Sequence, residues 1–151
     1  MQKRKKSKVF KLLATFDGHG DTVTNVRFHP QGSLAITCSR DKEVRVYDTR
    51  VPFRSTEPAT HSQPVSLVTA AKGVDKEGRQ LIGSLDTAGF LKIWHVNQGE
   101  PLLVCAVDVQ HTMTVTGIAF TNSVRYLISA SKDGSIKRWD MARLAQQRFS
   151  V

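Results

Sequence analysis

At 151 residues and 40% apolar content, the chain is long enough to bury a core and too apolar to remain unfolded. Its formal charge of +9 gathers at one end: Lys3, Arg4, Lys5, Lys6, Lys8 and Lys11 are six cations with no acidic residue in the first eleven positions, against sixteen basic and thirteen acidic residues in the remainder. The longest apolar run, residues 102–107, falls far short of the ~20 residues of a membrane helix, and the charged N-terminus has no apolar segment behind it as a signal peptide would.

In chain order, residues 1–8 read as a basic, disordered tail. Such a run serves as a nuclear address, as a contact for phosphate or anionic lipid, or simply as a solvated end. Lys3, Arg4, Lys5 and Lys6 are therefore candidate nucleic-acid or partner contacts. FKLLATF at 10–16 reads as an outer strand whose own sheet would lie upstream. GHGDTVTNVRFHP and SLAITCSRDKEVRVYD follow, with Val44, Val46 and Tyr47 in a β-branched and aromatic run that favours a strand. Around Pro52 and Pro58 apolar residues are few, which predicts a ragged outer strand before His61. THSQPVSLVTAA and QLIGSLDTAGFLKIWH come next, separated by KGVDKEGR at 72–79, which reads as a longer, exposed loop in the weakest unit. PLLVCAV at 101–107 is another outer-strand candidate, ahead of QHTMTVTGIAFTN and YLISASKDGSIKRWD. Cys38 and Cys105 lie far apart without metal-ligand spacing, which argues against a disulfide framework or a zinc site and fits a reducing, intracellular compartment, cytoplasmic or nuclear.

These segments are three copies of one unit. His19, His61 and His111 each precede a valine by four residues, and Thr37, Ser84 and Ser129 each precede Tyr47, Trp94 and Trp139 by ten. The aromatic positions are 47 and 45 residues apart. A period of this size marks a repeat architecture. The turn before the last strand of each unit contains Asp41-Lys42, Asp86-Thr87-Ala88-Gly89 or Asp133-Gly134, and Asp-Gly is a strong hairpin signal.

With Gly18-His19 and Tyr47-Asp48 in the first unit, His61 and Trp94 in the second, and His111 and Trp139-Asp140 in the third, residues 8–144 resemble the WD-repeat family. The resemblance implies an all-β fold: a partial WD-repeat β-propeller of three four-stranded blade units, an incomplete ring, over residues 9–144. The repeats run at about 9–50, 51–97 and 98–141, and residues 145–151 form a C-terminal tail or an outer strand. It also implies a buried polar network of His19, Thr37, Asp41 and Tyr47, repeated as His111, Ser129, Asp133 and Trp139. Such a set can satisfy itself, because indole only donates, carboxylate only accepts, and hydroxyl and imidazole do both. The second unit keeps His61, Ser84 and Trp94, but Ala88 stands where the Asp belongs and Asp86 comes two residues early, so its network is expected to be rearranged or absent.

His, Asp and Ser are also the ingredients of a hydrolytic triad. The trio recurs in every unit and no G-x-S-x-G elbow is present, so a structural role is expected, with no catalytic, cofactor or metal site. His29 reads as an ordinary strand-end histidine, and Arg45, Lys92 and Lys137 as a solvated strand face. Arg40 and Lys132 each precede the turn Asp and would make one rim of the stack positive, a candidate contact for an acidic partner or nucleic acid.

Propellers close with typically four to eight blades, so three units call for completion. The chain is a fragment, self-associates so that two chains supply six blades, or is completed by a partner protein. The function implied is a non-catalytic protein-protein interaction scaffold. One alternative is a nucleic-acid-associated protein of ribosome assembly or chromatin acting through the basic tail. Another is a coronin-like cytoskeletal protein, because GSLAITCSRDKEVRVYDTR is similar to a repeat of the actin-associated coronins. YDTR also resembles a short motif by which some WD-repeat proteins dock to ubiquitin-ligase adaptors.

Overall fold

The computed structural model describes residues 11–30, 32–51, 58–97 and 100–146. Lys3, Arg4, Lys5 and Lys6 of the candidate tail contact lie outside these residues, as do 147–151. Three antiparallel sheets follow one another along the chain. The first comprises β1 (Val23–Phe28), β2 (Leu34–Ser39), β3 (Glu43–Asp48) and β4 (Ala59–Thr60). The second comprises β5 (Val65–Val74), β6 (Gln80–Asp86), β7 (Phe90–Asn97) and β8 (Glu100–Asp108). The third comprises β9 (Val115–Phe120), β10 (Tyr126–Ser131) and β11 (Ile136–Asp140). The fourth strand of the first two sheets precedes the next histidine, so each sheet borrows its outer edge from the start of the next sequence unit.

Both outer-strand segments near the middle of the chain pair as strands: among the described residues the weak one gives the two residues of β4, and PLLVCAV lies within β8. The segment before His19 differs, since residues 11–22 carry no strand and Leu12 and Leu13 are exposed. Among the described residues no sheet stands beside it to pair with its backbone. The third sheet shows three strands among the described residues. The chain continues into helix α1 (Met141–Gln146), which takes in the first two residues of the segment 145–151 expected as a tail or an outer strand. MARLAQ lacks β-branched residues and is rich in helix formers, and the Asp140 Oδ1 accepts the Ala142 N–H at 3.0 Å as an N-cap.

The sheets stack face to face. Strand alternation sends Ile36, Cys38, Val44 and Val46 of the first sheet against Val65, Val68, Ile82 and Trp94 of the second. The opposite face of the second sheet, with Leu81, Leu85, Leu91 and Ile93, meets Val115, Leu127 and the partly buried Ile118, Phe120 and Trp139 of the third. Met141 and Leu144 of α1 close the end of this layer. The second sheet, covered on both sides, is the best buried of the three, contrary to its expected weakness. The run 72–79 is largely ordered: β5 continues through Ala71 and Gly73, and Asp75 accepts the backbone N–H groups of Glu77 and Arg79 to close the hairpin. A Cβ on Gly73 would lie 2.8 Å from the Asn122 carbonyl, so glycine there lets the extended hairpin pack on the third sheet. Among the described residues no helix is long and apolar enough to cross a membrane.

Candidate functional site

Each sheet carries a polar chain running from its inner edge to its hairpin turn. In the second, the Trp94 indole N–H donates to Ser84 Oγ at 2.7 Å, Ser84 Oγ meets His61 Nε2 at 2.7 Å, and His61 Nδ1 meets Asp86 Oδ2 at 3.1 Å. In the third, Trp139 donates to Ser129 at 3.0 Å, Ser129 meets His111 Nε2 at 2.9 Å, and His111 Nδ1 meets Asp133 at 3.0 Å. In the first, His19 meets Thr37 and Asp41, both at 2.7 Å. A carboxylate only accepts, so each Nδ1 carries a proton; Nε2 meets the hydroxyl, which in the second and third sheets also accepts from the indole. Every group is satisfied without a net buried charge beyond the aspartate.

Tyr47, in the place of tryptophan, donates its hydroxyl to the Asp17 carbonyl at 3.4 Å. Burial pushes this phenol above its ordinary value, opposed by the Arg45 guanidinium. Burial likewise holds the His61 imidazole below its usual range, against the pull of Asp86. Burial would raise Asp41, but hydrogen bonds from the Glu43 N–H, His19 and the Gly20 N–H hold it below the usual carboxylate range. Hydrogen bonds from the Ser135 side chain and backbone lower Asp133 strongly, with His111 and Thr112 adding to them.

Asp86 does the work of two residues. In the first and third sheets a serine two places after the hydroxyl residue accepts the N–H of the turn Asp (Asp41 to Ser39, Asp133 to Ser131, both 3.1 Å), and the Asp accepts the next N–H but one. In the second, Asp86 Oδ1 accepts both the Ala88 and Phe90 N–H groups at 3.0 Å while Oδ2 holds His61. The side chains of His61 and Asp86 are 0% exposed. Sequence spacing alone suggested a displaced carboxylate; its longer reach from the serine position restores the network.

The hydroxyls of Ser84 and Ser129 have no exposed surface, so no substrate can reach them as nucleophiles. His19, Asp41 and Glu43 lie close enough to hold an ion. Both His19 nitrogens are already hydrogen-bonded and Glu43 pairs with Arg45 at 2.7 Å, which accounts for the trio. His29 is buried at the end of β1. Arg45, Lys92 and Lys137, expected on a solvated face, are instead half-buried: Arg45 pairs with Glu43, and the two lysines tie the chain entering their sheets. Lys92 Nζ donates to the Thr60 carbonyl at 2.7 Å, and Lys137 Nζ to the Val109 and Gln110 carbonyls. In the first sheet the bulkier Arg45 lies 2.8 Å from where a Cβ on Gly18 would stand, which explains the glycine there and the Thr60 and Gln110 elsewhere.

Arg40 and Lys132 occupy equivalent turn positions. Their N–H groups bond the carbonyls of Thr22 and Thr114, just before the inner strands, as that of Thr87 bonds Pro64. Arg40, Thr87 and Lys132 are all exposed. Lys42, Gly89 and Gly134 share positive φ in these turns. Arg50 of YDTR folds back on Asp48 with contacts of 2.6 and 2.9 Å.

A family model described as WD40, "WD domain, G-beta repeat", matches residues 10–48 and 99–140, just over half of the chain. Curated relatives include the COMPASS component SWD3 of Saccharomyces cerevisiae, 27% identical over 85% of this chain and 41% of that protein. Nuclear distribution protein nudF of Aspergillus niger is 26% identical over 85% of this chain and 28% of that protein. Target of rapamycin complex subunit wat1 of Schizosaccharomyces pombe is 28% identical over 91% of this chain and 57% of that protein. The chain thus spans less than three fifths of the length of each of these relatives.

Proposed function

The chain belongs to the WD40 family of WD-domain repeats, and from that premise we propose that it is a non-catalytic scaffold that holds partner proteins against the turn end of its sheets. Two of the relatives are named as a component and a subunit of complexes, which fits a protein whose work is assembly. The observation that carries the reading is the equivalence of Arg40 and Lys132. Both are exposed, both are anchored through their own N–H groups to the inner strands, and Lys42 is exposed beside Arg40. Cations carried on anchored turns present a positive rim, suited to an acidic protein surface. Beneath the rim, the three networks hold each turn in place.

Affinity purification with mass spectrometry tests this, comparing the wild type with an Arg40→Glu/Lys132→Glu double variant. A defined set of proteins should be captured by the wild type and lost from the variant, at unchanged melting temperature. An identical set from both would remove the rim from the account.

A further inference from the structure

The second sheet lies between the other two, so a side chain left exposed on it is exposed within the stack itself. At its turn end Phe90 is 44% exposed. In the other sheets the position four residues before the aromatic is polar and engaged. Glu43 pairs with Arg45 at 2.7 Å, and Ser135 Oγ bonds Asp133 at 2.7 Å and meets His111 Nδ1 at 3.1 Å. In the second sheet Asp86 alone serves the turn: Oδ1 accepts the Phe90 N–H and Oδ2 holds His61, so the side chain at 90 has no part in the network. An aromatic ring stands there instead. Leu91 and Ile93 pack toward the third sheet, so strand alternation turns Phe90 toward the first, on the face of Trp94.

Cations border the ring on that side. One chain of hydrogen bonds links them to it: the Lys42 carbonyl accepts the His61 N–H at 2.9 Å, His61 Nδ1 meets Asp86, and Asp86 accepts the Phe90 N–H. Lys42 and Arg40 are exposed, and neither has a carboxylate partner among the described residues. Thr87 holds the same turn position as Arg40 and is exposed with a sheet on each side, so exposure belongs to the position. Asp108 stands across the strand pair from Phe90, and its Oδ1 accepts the Gln110 N–H. Negative charge thus lies on the outer-strand side of the ring and positive charge on the first-sheet side.

We propose that Phe90, with Lys42 and Arg40 beside it, seats an acidic segment of a partner protein that carries one apolar residue. This rests on the rim reading above and adds what the partner brings: an apolar side chain to cover the ring, and carboxylates on its first-sheet side. Interfaces concentrate binding energy on a desolvated aromatic surrounded by polar contacts, and opposite charges set the register. Single-stranded nucleic acid also pairs rings with cations, but it uses successive aromatic platforms. Among the described residues the turn end exposes no second aromatic ring, and Asp108 would repel a phosphate beside this one. A second copy of this chain fits less well, because its acid-bearing run after Val74, Asp75 and Glu77, is held by Arg79 at 2.6 and 2.8 Å.

The test uses the full chain and labelled peptides containing Asp-Glu-Leu-Glu-Asp, with Ser in place of Leu or Lys in place of every acid, read by fluorescence anisotropy. The leucine peptide should bind roughly tenfold tighter than the serine peptide, and the lysine peptide should not bind. In Phe90→Ser, an exposed site outside the network, the two acidic peptides should bind alike and weakly while circular dichroism stays unchanged. Lys42→Glu should weaken both. Equal binding of the leucine and serine peptides to the wild type, a tenfold ratio kept in Phe90→Ser, or no binding at all would overturn the proposal. So would an oligothymidylate that binds the wild type more tightly than the leucine peptide and is lost from Phe90→Ser, since the ring would then stack a base. The rim reading fails separately, if Arg40→Glu/Lys132→Glu keeps every protein that the wild type captures.

Discussion

Ser84 and Asp86 show how much a single atom in a buried network decides. Ser84 Oγ serves both Trp94 and His61, so Ser84→Ala leaves two buried groups without partners and should cost about 3 kcal/mol in a denaturant melt. The same change at the less buried Thr37, Thr37→Ala, should cost less than half as much, since water can reach His19 more easily. Lys42 holds φ 75°, where side chains are strained, and its counterparts are Gly89 and Gly134. Lys42→Gly should therefore raise stability by up to about 1 kcal/mol. The networks also set the acid limb of stability. His61 is held neutral, its folded pKa below 6.5, so the unfolded chain binds the proton first and stability falls as pH drops below 6.5 toward the folded value. Asp41 and Asp133 have depressed folded values, so their contribution is present above 3.8 and is lost only as pH falls further through those values. Thermal melts across this range should show two successive losses, and His61→Gln should flatten the first; an unchanged profile in that variant would assign the loss elsewhere.

Strands from different repeats with matching sequence positions carry different burdens. Phe28 ends β1 with 67% of its surface exposed, while Phe120, at the same place in β9, packs on the second sheet. Phe120→Ser should cost roughly 2 kcal/mol, through lost apolar burial, whereas Phe28→Ser should change stability by less than about 0.5 kcal/mol. Paired melting curves of the two variants check this. The middle hairpin gives a similar lesson. KGVDKEGR carries the polar and glycine-rich composition of a loop, yet β5 runs into it because Gly73 can approach the Asn122 carbonyl closely. A contact across two repeats cannot be read from local composition. Helix α1 was hidden for a different reason: the repeat pattern stops at Asp140, and helix propensity in MARLAQ is a weak signal over six residues.

For the whole molecule, the period, the histidines and the aromatic positions were legible because they must recur for identical sheets to stack. They carried the all-β class and the three units. The tertiary structure decided which faces are covered, and hence that the middle sheet is the most buried, that Asp86 reaches His61 from a serine's place, and that Lys92 and Lys137 tie incoming chain rather than meet solvent. Period and polarity are local properties written into every repeat. Burial depends on what stands next to each sheet, which only the stacking of one repeat on another determines.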